Sequence, residues 1–159
     1  MILRDATVDD QSTLEVFDVG DASSPWLNEV AEIVHGLIAW RANPEASNED
    51  RRVVVAVDGD TIEGVAAHTR LLDEHGRAMP AHRYLIVVAV TADRQRTGHA
   101  RYLVESILAQ LQDDGVRTVE WLVHPRNLAS IAFSRSVFPE ADDSQPPEDK
   151  PYTCFVLAL

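Results

Sequence analysis

Cysteine is almost absent: Cys154 stands alone among 159 residues, which excludes an internal disulfide and a thiolate metal cluster. Basic residues are scarce too, with 14 Lys and Arg against 26 Asp and Glu and a formal net charge of −12. Binding to a phosphate backbone leans on Lys and Arg, so this balance argues against a nucleic-acid partner. It suits a cationic or amine-bearing partner through long-range attraction, and it serves solubility equally well. No apolar run reaches the ~18–20 residues that a membrane span needs. The opening Met1-Ile2-Leu3-Arg4-Asp5 lacks the basic end and apolar stretch of a signal peptide. Repeats, low-complexity tracts and domain-sized linkers are missing as well. The expectation is a soluble cytoplasmic protein with one domain over 1–159 and no membrane, nucleic-acid or metal partner.

What is present reads as alternating strands and helices. Ile2 to Thr7 alternate as a short strand, and Asp9 is placed to cap a short helix through Leu14 and Phe17. Ser24-Pro25 opens a second helix whose apolar face is Leu27, Val30, Val34, Leu37 and Ile38, ended by Ala42-Asn43-Pro44. Arg52–Val57 and Thr61–Leu71 form a hairpin around Asp58-Gly59-Asp60. A polar turn at Asp73–Gly76 leads to Tyr84–Val90, an apolar run that predicts a strand buried on both faces. Ala100, Leu103, Val104, Ile107, Leu108 and Leu111 make a helical stripe that stops at Asp114-Gly115. Val116–His124 is a strand, Asn127–Val137 a helix, Pro139–Pro151 a surface loop and Tyr152–Leu159 a last strand. The order β-α-α-β-β-β-α-β-α-β mixes a meander with β-α-β crossovers and predicts a mixed sheet with helices on both faces.

One loop carries chemistry. Gln95-Arg96-Thr97-Gly98-His99-Ala100 lies between the apolar strand and the amphipathic helix. A helix start offers unpaired N–H groups and about half a positive charge, which favour a phosphate. Gly98 permits close approach of a ligand to the backbone, and Arg94 and Arg96 add positive charge.

The segment from Val90 to Ala100 resembles the coenzyme A pyrophosphate loop of the GNAT superfamily of N-acetyltransferases, Gln/Arg-x-x-Gly-x-Gly/Ala after a fourth strand. Gln95, Gly98 and Ala100 fill its fixed positions, and Ala92 replaces a frequent proline. Leu3–Asp10, Val57–Gly64 and Val123–Phe133 resemble the family's opening, its second hairpin and its fifth-strand to fourth-helix motif, in order. The resemblance implies a single α/β domain with a mixed, mostly antiparallel twisted sheet of six to seven strands and four helices on both faces. It implies acetyl-coenzyme A, or another acyl-coenzyme A, as co-substrate. Backbone groups at Val88 and Val90 would pair with the pantetheine arm, and the amides of Gln95, Arg96, Thr97, Gly98, His99 and Ala100 would cradle the pyrophosphate. Asn127 would reach the pantetheine or simply cap its helix, and Arg135 would meet the nucleotide phosphates or solvent.

The acid–base residues depart from the family pattern. The usual Tyr, seven residues beyond the Asn, is Ser134 here, and the Glu that some members place five residues before it is Leu122. The family's Gly-Phe after this helix is also altered, with Phe138-Pro139 in that region. A Ser hydroxyl is a weak proton donor, but a thiolate with a conjugate pKa of about 8.5 leaves fairly well unaided. Attack on a thioester needs a neutral amine, for which His124, Glu120 and His68 are the candidate bases. His99 stands where the family prefers an aliphatic residue, either beside the pantetheine or at a solvent edge. Trp26 and Trp40 flank the second helix, as core residues or as a lid over the acceptor. Cys154 reads as a buried structural thiol.

The function expected is transfer of an acyl group, by resemblance acetyl, to a primary amine on a small molecule or a protein, by direct attack in a ternary complex. The alternative is a non-catalytic acyl-coenzyme A sensor that has lost its general acid. A toxin-type enzyme acting on charged transfer RNA conflicts with the −12 charge. Homodimers are common among relatives, so a homodimer is a further expectation.

Overall fold

In the computed structural model, which describes residues 1–20, 24–37, 50–143 and 152–159, six strands form one sheet in sequential order. They are β1 Ile2–Asp5, β2 Arg52–Asp58, β3 Thr61–Leu72, β4 Ala78–Val90, β5 Thr118–Val123 and β6 Thr153–Ala158. All neighbours run antiparallel except β4 and β5, which are parallel and joined by a helical crossover. The helices are α1 Gln11–Leu14, α2 Pro25–Gly36, α3 His99–Asp113 and α4 Leu128–Val137. This is the mixed sheet that the residue pattern predicts, and its mostly antiparallel pairing of six strands is what the family resemblance implies.

The strand pleat explains the two-sided core. Val54, Ala56 and Ala66 point to one face, where Leu103, Val104, Ile107 and Leu111 of α3 cover them with Trp121 and Phe155. Val53, Val55, Val65 and Ala67 point to the other, beneath Leu14, Phe17, Val34 and Leu37. The α3 stripe falls where the 3.6-residue period puts it, and every member but Ala100 is buried. Close approach of α3 to the sheet is made possible by Gly64, where a Cβ would lie 3.2 Å from Leu103.

Several local expectations change. The first helical turn is capped by Thr7 rather than Asp9, in a capping box with Asp10, whose carboxylate accepts the Thr7 N–H at 2.7 Å and both terminal nitrogens of Arg4 at 2.7 Å. Near the end of α2, His35 Nε2 lies 3.3 Å from the Phe17 carbonyl oxygen, and Gly36 is the last helical residue. Strand β4 starts at Ala78, before the apolar run, and Pro80 is tolerated because the register jumps from Arg70↔Arg83 to Leu71↔Met79. Nor is the apolar run buried on both faces, since Tyr84, Ile86 and Val88 are only half-buried. Ile38, Trp40, the predicted stop at Ala42-Asn43-Pro44 and the part of the surface loop from Ser144 to Pro151 lie outside the described residues.

Candidate functional site

A second irregularity in β4 opens the sheet. Ala67 pairs with Val87 and His68 with Leu85, so Ile86 is an extra residue, a β-bulge. The ladder between β4 and β5 covers only His82–Leu85 against Thr118–Trp121. Beyond it the two strands part around a cleft of about 720 Å³. The cleft is lined by Val30 and Ile33 of α2 from one face, and by Ala100, Val104 and Phe133 of α3 and α4 from the other. It therefore reaches both sides of the sheet.

The parting leaves backbone groups of β4 without a strand partner. Thr91 N–H donates to Glu63 O on the β3 side at 3.0 Å. Strand amides alternate in direction, so the Val88 and Val90 N–H groups point the other way, into the cleft. Both residues line it, together with Gln95, Ala100, Asn127, His124 and Ser134. Arg96, Thr97, Gly98, His99 and Glu120 are not among its lining residues.

At the end of β4 the chain turns into α3 through a bend with open amides. Gln95 N–H donates weakly to Ala92 O at 3.4 Å, but the N–H groups of Arg96, Thr97 and Gly98 meet no acceptor among the described residues. Those of His99 and Ala100 belong to the first turn of α3, where intrahelical partners are lacking. Arg96 (φ 62°) and Gly98 (φ 92°) are both left-handed, the alternation that curls successive amides into an anion nest. The arrangement can hold a phosphate oxygen without any bound metal.

Ion pairs beneath this loop were hidden in the sequence. Glu63, 4% exposed on β3, accepts from Arg94 Nε at 2.8 Å and lies 3.4 Å from His99 Nε2. Thr97 Oγ donates to Arg94 O and is 2.6 Å from His99 Nδ1. So Arg94 is neutralised rather than free, and His99 neither flanks the cleft nor stands alone. Arg96 is the loop cation with no ionic partner among the described residues. The Gln95 side chain donates to Val19 O at 2.7 Å, tying the loop to the segment before α2. Arg135 binds Asp143 at 2.7 Å and 2.9 Å.

The four acid–base candidates sit in different surroundings. Ser134 is buried at the cleft wall and its Oγ accepts the Trp121 indole N–H at 3.0 Å, while Trp121 stacks on Phe155 with centroids 5.3 Å apart. His124 directly follows β5 at the cleft, with Nδ1 accepting the Arg126 N–H at 3.2 Å. That bond leaves the proton of the neutral ring on Nε2. Glu120 is half-buried between Tyr84 and Val156 and outside the cleft lining. His68 also lies outside it, fully buried, with Nδ1 unpartnered among the described residues. Burial, with Arg83 and Arg52 nearby, pushes its pKa down to about 4. Asn127 caps α4, its Oδ1 accepting the Ser130 N–H at 3.1 Å, which leaves its NH₂ for a ligand. Cys154 is half-buried rather than fully enclosed.

Trp26, expected as a core residue or a lid, lines the cleft. Sequence reasoning missed Tyr84 on β4 and Tyr152 just before β6, which line it too but share no spacing with Trp26 or with each other. Among the described residues no group of His, Cys, Asp and Glu is placed to hold a metal ion, and no helix is long and apolar enough to cross a membrane.

Comparisons with known proteins bear on this geometry. The acetyltransferase (GNAT) family profile matches residues 16–137. Among solved structures, the ribosomal-protein-alanine N-acetyltransferase of Brucella melitensis is similar at 19% identity and a TM-score of 0.68, covering all of both chains. The PaiA N-acetyltransferase of Thermoplasma acidophilum, solved with coenzyme A, is 13% identical with a TM-score of 0.67 over 99% of this chain and 98% of its own. A GNAT family acetyltransferase of Brucella melitensis, solved with acetyl-CoA, is 20% identical with a TM-score of 0.63 over 99% of this chain and 86% of its own. At these identities the likeness speaks for the fold. No curated protein sequence matches this chain.

Proposed function

The chain belongs to the acetyltransferase (GNAT) family, and on that premise we propose that it transfers an acyl group, acetyl in the first instance, from acyl-coenzyme A to a primary amine. The observation that carries this reading is the cleft between β4 and β5, which borders the loop of open amides at Gln95 and Ala100 and runs past Val90 to the opposite face of the sheet. In this reading the pyrophosphate lies on the amide nest, with Arg96 adding charge. The pantetheine follows the free edge of β4 at Val88 and Val90 and meets the Asn127 NH₂. The acceptor enters from the α2 side.

The chemistry follows from these positions. The amine lone pair attacks the thioester carbon in a ternary complex, and the Val90 N–H faces the oxygen where negative charge develops. Collapse breaks the C–S bond and leaves a thiolate, which departs readily because its conjugate pKa is about 8.5. Ser134 supports this step, for its oxygen accepts from Trp121 and its own proton remains free to donate. His124 presents an Nε2–H in its neutral form, so accepting a proton from the amine requires release of the Arg126 N–H. Water connecting the ammonium to His124 or to bulk is the simpler route for that proton.

A second reading, a non-catalytic acyl-coenzyme A sensor, is favoured by one observation: Ser134 holds Trp121 and no tyrosine replaces it on α4. Thiol release from acetyl-CoA across a panel of amines separates the two. Amine-dependent release establishes the enzyme. Acetyl-CoA binding without release from any amine supports the sensor.

A further inference from the structure

The α2-side mouth of the cleft has a distinctive wall. Trp26 comes from the first turn of α2, His124 from just after β5 and Tyr152 from just before β6. Their rings nevertheless form a cluster. Trp26 and His124 are 4.4 Å apart with a tilt of 31°, and Tyr152 meets His124 edge-on at 5.7 Å. The Arg126 guanidinium lies 5.6 Å from the centre of the Trp26 ring. Register places Tyr84 on the same face of the sheet, two strands from Tyr152, and it lines the same cleft. Burial holds the Tyr84 phenol above its usual pKa, with Cys154, Tyr152 and Glu120 adding to the shift, so it serves as a neutral wall.

Among the described residues charge in this wall is sparse. Among the described lining residues Glu29 is the one carboxylate, and Arg126 beside Trp26 disfavours a second cation. A polyamine or an aminosugar carries several ammonium groups, each of which needs a carboxylate or water as partner. A wall of rings instead favours one flat apolar group through stacking and burial. The acidic protein as a whole still draws a monocation toward the mouth.

We propose that the acceptor is a primary amine carried on a single aromatic or similarly flat apolar group, which packs against Trp26, His124 and Tyr152. This rests on the transferase reading and names its substrate class. The step balances as follows: the amine nitrogen forms the C–N bond of an amide and loses one proton. The C–S bond breaks with its electron pair on sulfur, and the sulfur gains a proton to leave as free coenzyme A.

The test uses the full chain, acetyl-CoA and three acceptors: 2-phenylethylamine, spermidine and an alanyl tripeptide. Calorimetry measures acetyl-CoA binding, and thiol release measures transfer. Phenylethylamine should exceed the other two in kcat/KM by about tenfold or more. Trp26→Ala should raise its KM by about tenfold with acetyl-CoA affinity unchanged, and Trp26→Phe should restore it. Tyr152→Ala should act in the same direction, with melting temperatures recorded for each variant to separate lost folding from lost recognition. Preference for spermidine or the peptide overturns the proposal, as does a Trp26→Ala loss that tracks acetyl-CoA affinity. If acetyl-CoA binds and phenylethylamine neither reacts nor binds to the coenzyme A complex, only this proposal falls. If acetyl-CoA does not bind, the transferase reading falls and takes the proposal with it.

Discussion

Ser134 illustrates how one residue can serve two ends. Its oxygen satisfies a buried indole N–H in the core between β5 and α4, and the residue lines the cleft. Ser134→Ala leaves the Trp121 N–H without a partner, which should cost about 1–3 kcal/mol in a denaturation measurement. Turnover should fall by no more than about tenfold, because a thiolate leaves without strong acid help. His68 gives a pH-dependent prediction of known sign. Its folded pKa of about 4 lies below the ordinary value of 6.5, so between these values the unfolded chain holds more protons. Its stabilising contribution is therefore complete above pH 6.5 and is lost as the pH falls toward 4, by roughly 3 kcal/mol. Denaturation midpoints of His68→Gln should lose that slope.

At the scale of elements, the loop into α3 depends on a buried carboxylate on the neighbouring strand β3. Glu63 holds Arg94 and faces His99, and Gln95 reaches back to Val19, 76 residues earlier. Glu63→Gln keeps the shape but removes the charge, and should destabilise by about 1–3 kcal/mol. It should also weaken acetyl-CoA binding by several fold, as the amide nest loosens. Gly98→Val strikes the nest directly, since φ 92° is strained for a branched side chain. A tenfold or larger rise in the acetyl-CoA dissociation constant is expected, equivalent to about 1.4 kcal/mol.

These elements also show what the sequence makes legible. The β2–β3 hairpin and the α3 stripe are local and periodic, so composition and spacing reveal them. The bulge at Ile86 leaves no mark, because it lies inside an unbroken apolar run with no glycine or proline. Yet that bulge parts β4 from β5 and makes the cleft. The motif Gln95 to Ala100 stands out in the sequence as a glycine-bearing strand-to-helix loop, whereas the Glu63, Arg94 and His99 cluster leaves no such mark. Its members are far apart in sequence and no spacing rule joins them. The aromatic mouth is hidden for the same reason, with rings contributed from opposite ends of the chain.

For the molecule as a whole, the sheet is a frame opened at one place. Cores pack on both faces of β2 to β4, and the shortened β4–β5 ladder opens the sheet between those two strands. A co-substrate bound along that opening bridges the two halves, so saturating acetyl-CoA should raise the melting temperature, with a larger shift at higher ligand concentration. The most direct test of the central claim is a calorimetric titration of the intact protein with acetyl-CoA, run beside Gly98→Val. Saturable binding at one molecule per chain, weakened at least about tenfold by the substitution, is the result predicted. No binding to the wild-type protein, or equal binding to both, would contradict the account.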